Sequence, residues 1–285
     1  MSTQIERFTA IADKIREKTE TTDKIIPNDF VNKIDDVYNK GVSDGKQSQY
    51  DEFWDNFQRY GNRKSYEYAF EKWDESAFYP KYNITIGIHA SGADDSGSAT
   101  SAFRNFNSNV VNDIETNEPI DLTQRLEECG VTLDTSLVTN FMYTFSFANI
   151  SRLPTIDMSA VSNLGYMTFY YARKLETIDK IILKDDGSQA CNANVFQGLG
   201  KLKNITFEGV IGCDMNFQWS TLLTKESITS IINALSDTTG ATLTLSKTAV
   251  NAAFEIDIDD ETTYPEDSEY YNLRNSKSNW TFNYI

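Results

Sequence analysis

The sequence has one histidine, three widely spaced cysteines, five prolines and no long hydrophobic run. A serine-type triad would have to combine His89 with Ser91 and a nearby Asp94 or Asp95, and no G-x-S-x-G turn is present to hold a nucleophile, so His89 is read as an exposed residue at a strand end. Cys129, Cys191 and Cys213 are odd in number and form no C-x-x-C pair, which signals neither a zinc site nor a disulfide framework. They are expected to be buried free thiols in a protein assembled in a reducing cytoplasm. No apolar stretch nears the roughly 20 residues needed to span a bilayer. Residues 1–22 are amphipathic and lack the apolar centre of a signal peptide, so neither membrane insertion nor export by that route is expected. Positive charge is also scarce: 26 Lys and Arg stand against 42 Asp and Glu, a net charge of −16. A phosphate backbone would be repelled by that field, and Lys201 and Lys203 stand too isolated to compensate, so nucleic acid is not an expected partner.

What the chain does have is apolar and aromatic surface, 40% and 13% of residues, with 15 Tyr and 17 Phe. Such a chain can bury a core. Residues 4–18 read as a helix with Ile5, Phe8, Ile11, Ala12 and Ile15 along one stripe. Asn28 and Asp29 open a second helix, with Phe30, Ile34, Val37 and Gly41 on one face. Both are too short to be stable alone, which makes Ile5, Phe8, Ile15, Phe30 and Ile34 candidate oligomerisation residues. Phe53, Trp54, Phe57 and Tyr60 carry helical spacing, and Asn83–His89 alternates as a strand with Ile84, Ile86 and Ile88 inward. The expected domains are therefore 1–82, a helical and aromatic attachment module, and 83–285.

Beyond residue 102 the chain repeats. Val138–Tyr143 is echoed by Val161–Tyr166, and an L-x-x-I core recurs as Leu153/Ile156, Leu175/Ile178 and Leu202/Ile205, at intervals of 22 and 27 residues. Aromatic segments precede each core. Spacing of this kind points to stacked short strands that must cover one another's apolar faces. Repeats are expected over about 102–217 and a cap over about 221–285, in which Thr224 starts a helix through Ile228, Ile231, Ile232 and Leu235. Ala241–Ser246 is a predicted strand with Leu243 and Leu245 inward, 255–268 an acidic excursion, and Tyr270–Ile285 a return to an apolar pattern that ends in a final strand. The predicted fold class is α+β: a helical N-terminal module followed by a short, irregular leucine-rich-repeat-like β-solenoid with a helix and strand cap.

Three stretches carry a resemblance. Residues 11–37 (IADKIREKTETTDKIIPNDFVNKIDDV), 51–73 (DEFWDNFQRYGNRKSYEYAFEKW) and 221–247 (TLLTKESITSIINALSDTTGATLTLSK) resemble tail-region structural proteins of prophages from gut Firmicutes that carry irregular (BspA-like) leucine-rich repeats. Trp280-Thr281 stands in place of the K-G-W-T ending usual there, and the acidic 255–268 stretch before it is longer than in those proteins. The resemblance implies a non-enzymatic, oligomeric virion component, assembled in the host cytoplasm. Its partners would be other tail proteins or a host-surface glycan or protein, and no cofactor is implied. A bacterial leucine-rich-repeat interaction module and a polysaccharide-degrading tail enzyme are the alternative readings.

Candidate site residues follow from the aromatic segments. Tyr143, Phe145, Phe147, Tyr166, Phe169, Tyr170 and Tyr171 form the best candidate surface, with the Phe residues and alternate Tyr expected to face the core. That leaves Tyr143, Tyr166, Tyr170 and Tyr171 as the candidates for binding a ligand or partner. Asp257, Asp259 and Asp260 could offer carboxylate oxygens to calcium, though they do not match the EF-hand pattern. The carboxylate pairs Asp94/Asp95, Glu127/Glu128 and Asp185/Asp186 are sequence neighbours that would point to opposite faces of a strand, so they make poor dyads for glycoside hydrolysis. No catalytic residue is assigned.

Overall fold

A computed structural model of the chain describes residues 70, 78–80, 83–86, 98–111, 114–192, 194–238, 240–259, 264 and 266–285. All of them belong to one compact unit, Tyr60–Ile285. The helices expected at 4–18, 28–41 and 53–60 lie outside the described residues, as do Ile5, Phe8, Ile15, Phe30, Ile34 and His89.

The strands, in chain order, are β1 (Ile84–Thr85), β2 (Val110–Val111), β3 (Ile114–Glu115), β4 (Ile120–Asp121), β5 (Leu133–Asp134), β6 (Ile150–Asp157), β7 (Thr177–Ile182), β8 (Asn204–Glu208), β9 (Met215–Phe217), β10 (Thr242–Leu245) and β11 (Thr281–Tyr284). The helices are α1 (Leu122–Glu128), α2 (Lys225–Asn233), α3 (Lys247–Phe254) and α4 (Glu269–Asn275). The strands fall into three parallel sheets, β1-β5, β4-β6-β7-β8 and β11-β10-β9, and one antiparallel pair, β2-β3.

This arrangement corrects the expected fold class. The described residues form a mixed α/β structure with four helices and several separate parallel sheets, not a leucine-rich-repeat-like solenoid. The reason is local. A solenoid needs one continuous ladder at near-constant register, whereas here strands of two to eight residues are shared among separate sheets.

The register inside the largest sheet also differs from the motif alignment. Leu153 pairs with Ile178, and Ile178 with Ile205; Ile156 pairs with Ile181, and Ile181 with Phe207. The first L-x-x-I core therefore faces Ile178 and Ile181, one step further along than Leu175 and Ile178. Leu175 and Leu202 are buried just ahead of their strands. The register shifts between Ile178 and Ile181, where three positions of β7 span only two of β8. That bulge lets the buried residues of β7, three apart, meet the buried Ile205 and Phe207 of β8, two apart. Pro154 sits within β6, but β4 pairs with β6 only as far as Arg152, so the proline lies past the end of that ladder.

The C-terminal part holds several of the expected elements. The Thr224 side chain accepts the Ser227 N–H at the start of α2, which buries Ile228, Ile231 and Ile232. Leu243 and Leu245 are buried in β10. Tyr270, expected to begin an apolar run toward the last strand, is instead the buried residue of α4, with Ser268 as its N-cap. The Tyr270 hydroxyl donates to that of Tyr284 at 3.0 Å. Lys277 is buried and its Nζ donates to the Leu235 carbonyl and to Asp237, both at 2.6 Å, while Trp280 Nε1 donates to the Ser236 carbonyl at 2.8 Å. These bonds hold the chain leading into β11 against the turn that follows α2. Among the described residues no helix is long and apolar enough to cross a membrane.

The cysteines depart from expectation. Cys191 and Cys213 form a disulfide with Cα atoms 5.6 Å apart, while Cys129 is a free, partly exposed thiol.

Candidate functional site

The aromatic segments form turns, and four of them carry an asparagine that bonds the backbone just after it. The Oδ1 atoms of Asn140, Asn163, Asn192 and Asn216 accept the N–H two residues on, at 3.0–3.2 Å. The turns stack through backbone bonds: Phe103 N–H to Thr144 O, Phe145 N–H to Thr168 O and Phe169 N–H to Val195 O, at 2.8, 2.8 and 3.1 Å. Buried hydroxyls add to this, as where Thr168 donates to the Phe141 and Leu164 carbonyls.

Inside the turns runs a file of rings. Phe70, Phe103, Phe145, Phe169, Phe196 and Phe217 stack in sequence with centroids 4.4, 5.3, 5.6, 5.5 and 4.6 Å apart, all fully buried. Offset stacking of this kind adds attraction beyond burial alone.

Two residues beyond successive core rings, the chain turns outward at Asn105, Phe147, Tyr171, Gly198 and Trp219. Asn105 N–H bonds Ser146 O, Phe147 N–H bonds Tyr170 O, and Tyr171 N–H bonds Gln197 O, so the first four stand level on adjacent turns. Asn105, Phe147 and Tyr171 all hold left-handed backbone, with φ of 54°, 56° and 53°; so do Tyr143 and Met167 two residues before their core rings. Gly198 also has positive φ, and a Cβ there would lie 3.0–3.2 Å from the Tyr171 ring, so that ring lies against bare glycine backbone.

The four predicted tyrosines fall into two groups along this edge. Tyr143 and Tyr166 meet edge to face at 5.5 Å, with the Arg104 guanidinium over Tyr143. Tyr170 and Tyr171 meet at 4.4 Å, and Phe147 touches both, edge to face with Tyr170 and stacked with Tyr171. None of the four tyrosines is buried, which corrects the expectation that alternate ones face the core. Phe147 also departs from expectation. Its ring is 38% exposed, because left-handed backbone at position 147 turns it out while Phe145 remains in the file. Trp219, not among the predicted residues, is 47% exposed.

Beside Phe147 and Tyr171 lies a groove of about 470 Å³, a size typical of small-molecule sites. One lip is the β2-β3 hairpin, which presents Val110 and Ile114 at 58% and 67% exposure. The opposite lip carries Arg173 and Lys174, both exposed, with the Arg173 guanidinium 4.8 Å from the Tyr171 ring centre. Neither has an ion-pair partner among the described residues. Glu115 lies on the hairpin side and accepts bonds from the Ser108 hydroxyl at 2.6 Å and from the Asn109 and Asn117 N–H groups at 2.8 and 3.1 Å. Burial alone would raise the Glu115 carboxyl, but the Ser108 hydroxyl and the Asn109, Asn117 and Thr116 N–H groups outweigh it and hold the group below its ordinary range. It is therefore an anion at neutral pH.

The acidic stretch is arranged otherwise. Asp259 pairs with Lys247, Asp257 accepts bonds from Asn251 and from the Asp259 N–H, and Asp260 lies outside the described residues. No group of three metal-ligating side chains occurs among the described residues. Glu127/Glu128 and Asp185/Asp186 are exposed to solvent.

No protein-family model, curated protein or solved structure matches the chain.

Proposed function

We propose that this chain is a non-enzymatic structural and recognition protein of a phage or prophage tail, which engages a host-surface ligand or another virion protein through its aromatic turn edge. The observation that carries the recognition part is the exposed Phe147 stacked on Tyr171, raised on a file of buried rings and accompanied by the unburied Tyr143, Tyr166 and Tyr170. Exposed aromatics held in place by a packed core supply large contact area at small entropic cost. The virion context rests on the resemblance of residues 11–37, 51–73 and 221–247. Self-association through Ile5, Phe8, Ile15, Phe30 and Ile34 belongs to the same proposal.

The test is saturable binding of the full chain to intact bacterial cells and to purified tail proteins, alongside Phe147→Ala and Tyr166→Ala variants. The expected result is binding that one or both substitutions weaken at least about tenfold while thermal stability barely changes, as for anchors at an interface centre. Saturable binding that ignores both substitutions, or no binding to either target, would overturn the assignment of this edge.

A further inference from the structure

We infer that the groove between the β2-β3 hairpin and the Phe147/Tyr171 rings is a subsite for a carboxylate-bearing saccharide; this deepens the proposal that the aromatic edge is a recognition surface and rests on it. Three features of the groove converge on that chemistry. Phe147 stacks on Tyr171 with centroids 6.0 Å apart and is itself open to solvent, so the Tyr171 ring backs an exposed Phe147 ring that can meet the C–H face of a sugar. The groove is open and partly polar, unlike an enclosed apolar cavity, so it suits a hydroxylated ligand.

The second feature is charge. In a chain of net charge −16, Arg173 and Lys174 stand side by side without an acidic partner among the described residues. The nearby sheet behaves differently, since Arg152, Lys180 and Lys203 each pair with an acid on the adjacent strand or just ahead of it. A guanidinium held over an aromatic ring uses none of its N–H donors there, and a pair of them can take a carboxylate through two parallel bonds.

The third feature is Glu115 on the opposite side. It is ionised and already holds three donors, so it repels a bare anion that approaches its wall. One acceptor position on its Oε2, which holds only the Ser108 hydroxyl, can still accept from a hydroxyl group. A ligand that satisfies both walls carries hydroxyls toward the hairpin and an acid group toward Arg173 and Lys174, with an apolar face against the rings. A uronic or other sugar acid has that polarity; an inorganic anion and a neutral sugar each lack part of it.

The experiment uses the full chain in titration calorimetry with short oligogalacturonates, hyaluronan oligosaccharides and sialyllactose, each beside its carboxyl methyl ester, with acetate and inorganic phosphate as bare anions. At least one acid is expected to bind about tenfold or more tighter than its ester, and that preference should shrink as salt rises. The Arg173→Gln/Lys174→Gln double variant, changed at exposed positions, should lose the preference while keeping weak binding of the ester. Tyr171→Ala should weaken acid and ester together. Equal affinity for acid and ester overturns the inference, as does binding of acetate as tight as that of the acids, or no binding of any acid. If the inference fails while cell binding still depends on Phe147, the recognition proposal survives alone. If acids bind and cells do not, the subsite stands without the wider role.

Discussion

The turn edge and the outer face of the β6-β7-β8 sheet are built on the same stretch of chain, yet they dispose of charge in opposite ways. On the sheet face Arg152 bonds Asp179 at 2.7 Å, and Thr123 adds a bond to the same carboxylate; Lys180 reaches Glu208 and Lys203 reaches Glu176, each at 2.7 Å. On the turn edge Arg104 and Arg173 lie over tyrosine rings, and Lys174 has no ion-pair partner among the described residues. Exposed charge that neighbours neutralise is a solvated wall. Exposed charge left open beside rings keeps its field for something outside the molecule. The contrast separates a face whose charges are satisfied within the fold from one whose charges are left open.

Substitutions can break or sharpen that contrast. The largest effect is expected at the ring file: Phe169→Ala removes the middle of the stack and should destabilise the protein by about 3–5 kcal/mol in chemical denaturation. A loss below about 1 kcal/mol would mean that the file does not support the edge. Next, Gly198→Ala places a methyl against the Tyr171 ring at positive φ. It should cost about 1–2 kcal/mol and reduce ligand binding as well, since the ring must shift. Unchanged binding would detach Tyr171 from recognition. The smallest effect belongs to the sheet face, where Arg152→Ala should change stability by no more than about 1 kcal/mol and leave binding untouched. A binding loss there would erase the distinction between the two surfaces.

Parts of this were legible in the sequence, and the reasons are specific. Thr224 with Ile228, Ile231 and Ile232, and Leu243 with Leu245, announced α2 and β10, because capping and periodicity act over a few residues. The recurrence of L-x-x-I cores pointed to strands, and β6, β7 and β8 lie where the cores fall. Their register was not legible, because the bulge between Ile178 and Ile181 changes the spacing that motif matching assumes constant. The solenoid expectation failed for a related reason: recurrence in sequence does not report whether strands join one ladder or divide among several sheets. Phe145 was readable as core and Phe147 was not readable as surface. Left-handed residues break the alternation of sides, and Tyr, Phe and Met at positive φ give no compositional sign as glycine would. The Cys191–Cys213 pair was missed because counting cysteines ignores their spacing of 22, close to the interval between successive turns.

The left-handed backbone at Tyr143, Phe147, Met167 and Tyr171 has a thermodynamic consequence. Each is a non-glycine residue in a sparsely populated conformation, and backbone N–H bonds to the neighbouring turn fix Tyr143, Phe147 and Tyr171. The free energy of ordering these side chains is thus spent when the protein folds, before any encounter. A ligand arriving at this edge meets a surface already in its final shape. Its association should then show a small entropy loss and near-rigid-body kinetics, with affinities among related ligands differing mainly in how slowly each one leaves.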